Sequence, residues 1–224
     1  MDTVVVKNLT KVFMQGTDEV RAVNNVSFTI KKGEMVAIVG QSGSGKTTLL
    51  NLIGGIEHPT SGSIEIDGAA IQSVDDMELS KIRRQKIGYI FQDFNLIPIL
   101  TAEENIIMPL LLDSQKVNKK HLHSISDFLG ISNRLKHLPS EMSGGQKQRV
   151  AIARALINHP SLILADEPTG NLDKKTADEI MQLLVEINRN GNTVLLVTHE
   201  QRYADMCQRK IYISGGNVIM ESYP

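Results

Sequence analysis

The segment GQSGSGKTT, residues 40–48, combines residue types and a spacing that could bind phosphate groups. Its glycines let the backbone turn tightly, so that successive N–H groups point at one anion, and a following helix adds its positive N-terminal end. Lys46 would then lie on the β- and γ-phosphates of a nucleotide, and the hydroxyl of Thr47 would bind Mg²⁺. The alternative is a glycine-rich turn with an incidental lysine. The apolar run before the loop and the helical pattern after it favour the nucleotide site.

Two acidic residues, Asp166 and Glu167, end the apolar segment LILADE. Ligands of parallel sheets gather at the carboxyl ends of the strands. Asp166 is therefore placed to hold Mg²⁺ through water, and Glu167 to act as general base on an attacking water. Adjacent acids after a strand are also ordinary helix-start residues. The phosphate loop upstream favours the catalytic interpretation, which separates hydrolysis from nucleotide binding alone.

A second candidate anion site lies in SEMSGGQKQRVAIARAL. Ser143 followed three residues later by Gln146 is a capping-box pattern that opens a helix. A well-capped helix is the simpler interpretation, but Gly144 and Gly145 in its first turn cost about 1 kcal/mol each relative to alanine. They provide uncovered backbone beside a hydroxyl at a positive helix end, which suits a phosphate. One small domain has little use for two such sites, whereas two copies of the chain facing each other would use both.

The order of predicted elements indicates an α/β fold with a mostly parallel sheet. The first third is rich in β-branched segments. The middle contains mostly helical fragments, such as 132–138, and one strand candidate, IGYIF. The last third alternates buried strands with helices. The end of the chain reads as a hairpin around Gly215 and Gly216. We expect one domain over 1–224, with a β subdomain and phosphate loop (1–75), a mainly helical subdomain (76–145) and a core segment (146–224).

Composition argues against nucleic acid as a partner. The 224 residues carry 24 basic and 25 acidic side chains, a net charge of −1, whereas general nucleic-acid binding needs a basic surface. The single cysteine, Cys207, cannot form an internal disulfide, which fits a reducing compartment. The N-terminal residues lack the pattern of a signal peptide, and no apolar stretch reaches the roughly 18 residues of a membrane span. If the protein works at a membrane, we expect another chain to supply the spans.

The motifs, taken together and in order, resemble one family. The chain is similar along nearly its whole length to the nucleotide-binding domain of ATP-binding cassette (ABC) transporters. The matching elements are GQSGSGKTT (Walker A), MSGGQ at 142–146 (signature sequence), LILADE (Walker B), Gln92 in FQDFN (glutamine loop), GNLD ending at Asp173 (D-loop), His199 (switch histidine) and Phe13 (adenine-stacking aromatic).

The resemblance implies a P-loop NTPase core with an N-terminal antiparallel β subdomain and an α-helical signature subdomain. It also implies a head-to-tail homodimer with two ATP molecules, each between the Walker residues of one chain and Ser143 and Gly145 of the other. The implied nucleotide-binding residues are Phe13, Gly40, Ser42, Gly43, Ser44, Gly45, Lys46, Thr47, Thr48, Ser143, Gly144, Gly145, Gln146 and Asp173. The implied catalytic residues are Glu167, His199 and Gln92, and the implied Mg²⁺ ligands are Thr47, Gln92 and Asp166.

Within this set, His199 is expected to contact the γ-phosphate, Asp173 to help link the two sites, and Gln92 to touch Mg²⁺ or the attacking water. Taken alone, a histidine after a buried strand is more often structural, and an aromatic residue such as Phe13 is more often part of a core. Departures from the family pattern are mild: Met142 replaces the usual leucine, and Gln41 follows the first glycine where proline is common. None removes a catalytic group, so we expect an active ATPase.

The segment IGYIFQDFNLIPILTAEENI looks most like the lipoprotein-releasing, macrolide-exporting and antimicrobial-peptide-exporting ATPases. This implies a cytoplasmic protein on the inner face of the cell membrane, bound to an integral-membrane permease that exports or extracts peptides, lipoproteins or drugs. The apolar FNLIPIL suits either an exposed docking groove or a core edge. Two alternatives remain: a regulatory ATPase of the cell-division type that moves no solute, and a soluble cassette ATPase of DNA repair or translation.

Overall fold

A computed structural model describes residues 1–223; Pro224, the last residue of the predicted core segment, lies outside the described residues. The strands are β1 Asp2–Gln15, β2 Asp18–Lys31, β3 Met35–Val39, β4 Ser61–Ile66, β5 Ala69–Ala70, β6 Ile87–Ile90, β7 Leu162–Asp166, β8 Thr193–Thr198, β9 Arg209–Ser214 and β10 Asn217–Ser222. The helices are α1 Lys46–Ile53, α2 Asp76–Lys86, α3 Ala102–Leu112, α4 Lys119–Phe128, α5 Gly144–Leu156, α6 Lys174–Arg189 and α7 Gln201–Ala204. Short 3₁₀ helices cover Ile71–Ser73, Ser132–Arg134 and Pro139–Glu141.

The core is a sheet of six strands in the order β10-β9-β3-β8-β7-β6. The pairs β9–β3, β3–β8, β8–β7 and β7–β6 are parallel, and β10 is antiparallel to β9. All five residues of β3 and all six of β8 are buried, because alternate side chains pack into layers on opposite faces of the sheet. This explains the continuous apolar runs and confirms the predicted mostly parallel α/β fold. The predicted hairpin around Gly215 and Gly216 is likewise confirmed.

Different layers cover the two faces of this sheet. One face packs against α3, α4, α5 and α6. The other packs against α1, α2 and the four-stranded antiparallel sheet, whose order is β2-β1-β4-β5. None of the helices in residues 1–223 combines the length and the apolar character that crossing a membrane requires.

The strand predicted at IGYIF in the middle of the chain is confirmed as β6, but the segments of this region do not all pack together. The buried residues Leu79 and Ile82 of α2 pack with α1 and the antiparallel sheet, and β6 pairs with β7 in the core sheet. The helix predicted for 132–138 was wrong, since only a 3₁₀ turn at Ser132–Arg134 forms. The boundary placed after residue 145 falls inside α5, because the capped helix runs without a break from Gly144 to Leu156.

Four neighbouring parallel strands end at the same edge of the core sheet. Val39 of β3 pairs with Thr198 of β8, Asp166 of β7 pairs with Val197 of β8, and Ile90 of β6 pairs with Ala165 of β7. The residues that follow these strands are the phosphate loop, His199, Glu167 and the glutamine-loop segment. Strand register therefore brings the sequence-predicted groups to one edge.

Replacement of Leu164 by alanine tests how much a buried side chain of β7 contributes to the stability of the core sheet. Leu164 of β7 is fully buried, so we expect the free energy of unfolding to fall by about 2–5 kcal/mol, the cost of a cavity in a packed core. Urea unfolding measures it. Leu111→Ala is the matched control, since Leu111 is 52% exposed, and its effect should stay within about 0.5 kcal/mol. Equal effects of the two variants would contradict the assignment of β7 to the core.

Candidate nucleotide-binding site

An open cavity of about 780 Å³ lies at this edge of the sheet, where the phosphate loop leaves β3 and enters α1. Its lining residues are Val20, Arg21, Ala22, Ser42, Gly43, Gly45, Lys46, Thr47, Thr48, Gln92, Glu167, His199, Gly215 and Gly216. The cavity therefore combines groups from the Walker A loop, the glutamine loop, the residue after β7 and the residue after β8. It is large enough for a small-molecule ligand.

The phosphate loop has the bare, inward-facing backbone that its glycines predict. Gly45 has a φ of 99°, and a Cβ at this position would collide with the carbonyl oxygen of Ala22, so only glycine fits. Lys46 is 7% exposed, and its ammonium group donates hydrogen bonds to the carbonyl oxygens of Gly40 and Gln41, each at 2.8 Å. The positive charge is thus held in place at the mouth of the loop.

The hydroxyl of Ser44 is a candidate donor to an anion in the loop. Its hydroxyl oxygen is buried and has no hydrogen-bond partner among residues 1–223, and a buried donor without a partner costs about 1–3 kcal/mol. A phosphate oxygen in the loop would accept this hydrogen bond and would also face the N-terminus of α1. The donor set therefore matches a nucleotide phosphate.

Asp166 and Thr47 form a candidate Mg²⁺ site. The Thr47 hydroxyl donates to Asp166 Oδ1 at 3.2 Å. Burial raises the pKa of Asp166, and the charge of Glu167 raises it further, against the hydrogen bond from Thr47. No group of three or more His, Cys, Asp or Glu side chains within residues 1–223 could hold a metal by itself. This donor set still suits Mg²⁺, which is usually bound through one or two carboxylates together with phosphate oxygens and water.

Glu167 points its carboxylate at His199. Its Oε2 lies 2.8 Å from Nδ1 of His199, and its backbone N–H donates to the carbonyl oxygen of Val197 at 3.0 Å. The φ of Glu167 is 45°, a left-handed conformation that costs about 1–3 kcal/mol for a residue with a side chain. The core sheet holds this residue in a strained conformation that places an acid and a base in contact at the cavity.

Gln92 reaches the same cavity from the segment after β6. Its backbone carbonyl accepts a hydrogen bond from Asn171 Nδ2 at 3.1 Å. A Cβ on Gly170 would lie 2.8 Å from Gln92 Nε2. The glutamine loop and the D-loop (residues 170–173) are therefore in direct contact within one chain.

Residues 143–146, which we call the signature tip, do not line this cavity. The predicted capping box is confirmed: Ser143 Oγ accepts from the N–H of Gln146 at 3.3 Å, and Gln146 Oε1 accepts from the N–H of Ser143 at 3.0 Å. Asp173 is the N-cap of α6, since its Oδ1 accepts from the N–H of Thr176 at 3.1 Å. The exposed N-terminus of α5 is thus intact but separate from the phosphate loop of its own chain.

Phe13 lies on the surface near the cavity. Its ring is 39% exposed, so the core interpretation was wrong for this residue. Phe13 pairs with Val20, which lines the cavity, and residues paired across antiparallel strands project to the same side of the sheet. The ammonium group of Lys11 lies 4.8 Å from the ring centroid.

Five cavity residues were not among the site residues predicted from the sequence: Val20, Arg21 and Ala22 of β2, and Gly215 and Gly216 of the last hairpin turn. The N–H of Gly216 donates to the carbonyl oxygen of Ser44 at 3.1 Å, and the N–H of Asn24 donates to the carbonyl oxygen of Gly216 at 2.8 Å. The hairpin turn therefore links the phosphate loop to β2. The Gly-Gly pair was visible in the sequence, but it indicated only a turn.

Comparison with known proteins identifies the family of this site. The family model described as ABC transporter matches residues 23–170. The chain belongs to the ABC transporter ATPases. It is 47% identical over 222 residues to the uncharacterised ABC transporter ATP-binding protein MJ0796 of Methanocaldococcus jannaschii, with 96% of this chain and 94% of that protein covered. It is 43% identical over 213 residues to the lipoprotein-releasing system ATP-binding protein LolD of Alcanivorax borkumensis, with 94% and 93% covered.

A solved structure agrees with the sequence comparison. The dimeric, post-hydrolysis state of the ATP-binding cassette MJ0796 bound to ADP and Pi superimposes with a TM-score of 0.90 at 45% identity, and 98% of each chain is covered. This chain is therefore an ABC-type ATPase, the ATP-binding and ATP-hydrolysing subunit of a transporter.

Two Asp-to-Asn variants of this ABC ATPase should change stability in opposite directions. The pKa of Asp166 is raised, so its charge at pH 7 destabilises the folded state, and stability is regained as pH falls through that pKa. The pKa of Asp173 is lowered, mainly by hydrogen bonds from Thr176, so its charge stabilises the folded state above the unfolded-state pKa. Urea unfolding at pH 7 with EDTA and without nucleotide should give a higher free energy of unfolding for Asp166→Asn and a lower one for Asp173→Asn. The same sign for both variants would refute these assignments.

Proposed function

We propose that this ABC ATPase works as a homodimer that holds two ATP molecules between its subunits, and that its closing and reopening drive a separate integral-membrane permease. The main support is the position of the signature tip, a helix end with an exposed Ser143 and two glycines that lies away from the cavity of its own chain. A second copy would bring its tip to that cavity. The dimeric state of the similar MJ0796 cassette with ADP and Pi supports this arrangement.

In the proposed reaction, the backbone of the phosphate loop, Ser44 and Lys46 bind the β- and γ-phosphates. Glu167 accepts a proton from a water molecule as the water oxygen attacks the γ-phosphorus, and the bond to the β-phosphate oxygen breaks to release ADP and Pi. The Glu167 carboxylate accepts a hydrogen bond from the Nδ1–H group of His199, which orients the ring and leaves Nε2 to contact the γ-phosphate. Mg²⁺, held by Thr47, Asp166 and Gln92, would neutralise charge on the phosphate oxygens. Phe13 stacks on the adenine.

Replacement of Glu167 by glutamine tests this proposal. The amide keeps the size of the carboxylate but cannot accept the proton, so turnover should fall about 10²–10⁴-fold, the usual contribution of a general base. Because ATP then persists, a dimer should accumulate, and light scattering at saturating ATP measures its mass. Glu186→Gln, on the exposed side of α6, is the control and should hydrolyse ATP at the original rate. Unchanged turnover, or a monomer at saturating ATP, would refute the proposal.

The permease contact is proposed to lie in a groove of about 290 Å³ formed by α2, β6, α3 and α5. Tyr89 and Phe91 stack at 4.1 Å between ring centroids on its wall. Leu112, which is 63% exposed, and Pro109 form part of its rim. An exposed groove with apolar walls suits the apolar face of a short helix.

The loop beside this groove, FNLIPIL, is held by internal hydrogen bonds although two of its apolar side chains, Ile97 and Ile99, are exposed. The buried Asn105 accepts a hydrogen bond from the N–H of Ile97 at 2.7 Å and donates to the carbonyl oxygens of Leu100 and Thr101, each at 3.0 Å. Ile99 is nevertheless 82% exposed. This combination supports the docking interpretation of FNLIPIL over the core-edge alternative.

A charge placed in the groove tests the docking proposal. Leu112→Asp should reduce the ATPase stimulation by the membrane protein of the neighbouring gene, after co-expression and purification, because a carboxylate opposes burial against an apolar helix. The ATPase rate without the membrane protein should not change. Ile219→Asp is the control, since Ile219 is 65% exposed on β10 and lies outside the groove. Equal loss in both variants, or none in Leu112→Asp, would exclude this groove as the docking site.

We propose that the cargo is a lipoprotein, peptide or drug that is exported or extracted at the cell membrane, and the similarity to LolD, named for lipoprotein release, supports a lipoprotein. A regulatory role of the cell-division type uses the same ATPase with a permease that moves no solute. Reconstitution with the neighbouring membrane protein separates the two. Extraction of a lipoprotein, peptide or drug supports the transporter, and ATPase stimulation without any solute movement supports the regulatory role.

A further inference from the structure

Thr176, in the first turn of α6, touches the signature tip and the D-loop of the same chain. A Cβ built on Gly145 would lie 2.5 Å from Thr176 Cγ2, and its next two neighbours, at 3.8 and 3.9 Å, also belong to Thr176. The methyl group of Thr176 therefore packs against the bare backbone of Gly145. This contact explains why the second glycine of the tip has no side chain, independently of any ligand.

The other substituent of the same side chain is tied to Asp173. The Thr176 hydroxyl donates to Asp173 Oδ2 at 2.6 Å, and the backbone N–H of Thr176 donates to Asp173 Oδ1 at 3.1 Å. A β-branched side chain has few χ1 rotamers, and here one rotamer satisfies both contacts. A shift of Asp173 therefore moves the methyl group on which Gly145 rests.

The rest of the tip is supported by the same loop. A Cβ on Gly144 would lie 3.2 Å from Leu172 Cδ2 and 3.8 Å from the ring of Phe94. Leu172 belongs to the D-loop, and Phe94 follows the glutamine loop. The tip thus rests on side chains whose positions depend on both loops, and Thr176 makes the tightest contact.

We propose that Thr176 is a positioning residue that sets the signature tip relative to Asp173, so that the D-loop of a chain controls how well its tip binds the ATP of the partner subunit. This inference rests on the proposed homodimer. Thr176 does not line the cavity of its own chain, so it should affect dimer formation without affecting ATP binding by the monomer. The position of the D-loop thereby affects the partner's ATP site through one side-chain contact, that of Thr176 with Gly145.

A double-mutant cycle tests the packing contact. In the Glu167→Gln background with saturating ATP, Gly145→Ala should raise the dissociation constant of the dimer by about tenfold or more, because the new Cβ displaces the tip from Thr176. Adding Thr176→Ser removes Cγ2 and should return the constant to within about threefold of the background value. Analytical ultracentrifugation measures the dimer, and a fluorescent ATP analogue measures nucleotide binding by the monomer, which should stay unchanged.

Thr176→Val tests the hydroxyl separately, since valine keeps the methyl group against Gly145 and loses the bond to Asp173. The dissociation constant of the dimer should rise by about fivefold, the effect of one hydrogen bond. A merely structural role would lower the thermal unfolding midpoint while leaving the dissociation constant of the folded protein unchanged. An unchanged dissociation constant in Thr176→Val, or failure of Thr176→Ser to reverse the effect of Gly145→Ala, would overturn this inference. Neither result would contradict the proposed dimer. A monomeric Glu167→Gln protein at saturating ATP would overturn the proposed dimer, and this inference with it.

Discussion

The parallel register of β3, β8, β7 and β6 is the constraint on which the site depends. The inner strands are buried on both faces, and a slip of one residue would exchange the side chains of the two layers. Core packing therefore fixes where each strand ends. Because the ends coincide within about one residue, the phosphate loop, Glu167, His199 and Gln92 meet at one edge without help from a ligand.

Folding leaves several groups at this edge in unfavourable surroundings. The hydroxyl of Ser44 is buried without a partner among the described residues, burial raises the pKa of Asp166, and Glu167 has a left-handed backbone. The packing of the surrounding core offsets the unfavourable free energy of each of these groups. A triphosphate with a divalent cation would supply an acceptor for Ser44 and a counter-charge for Asp166. The groups of this site therefore destabilise the folded protein, but they suit the binding of a ligand.

The signature tip differs from the phosphate loop, because its capping hydrogen bonds lie within the tip while the side chains that support it come from another part of the sequence. The capping box pairs the N–H groups of Ser143 and Gln146. Its orientation depends on the D-loop and on Thr176, which lie in another part of the sequence. One chain thus carries a phosphate loop on the core sheet and a second bare helix end on the α5–α6 surface. The first is fixed by strand register and the second by side-chain packing.

The sequence by itself determined the features that depend on neighbouring residues. The phosphate loop, the capping box of Ser143 and the buried strands follow from local spacing, and the ordered motifs identified the family. Only the tertiary structure decided that α2 packs with α1, that Phe13 is exposed, and that Arg21 and Gly216 line the cavity. These features arise from contacts between segments far apart in the chain, such as the bond from Gly216 to Ser44. Local patterns cannot encode which distant surfaces meet, because that choice is made by the packing of the whole core.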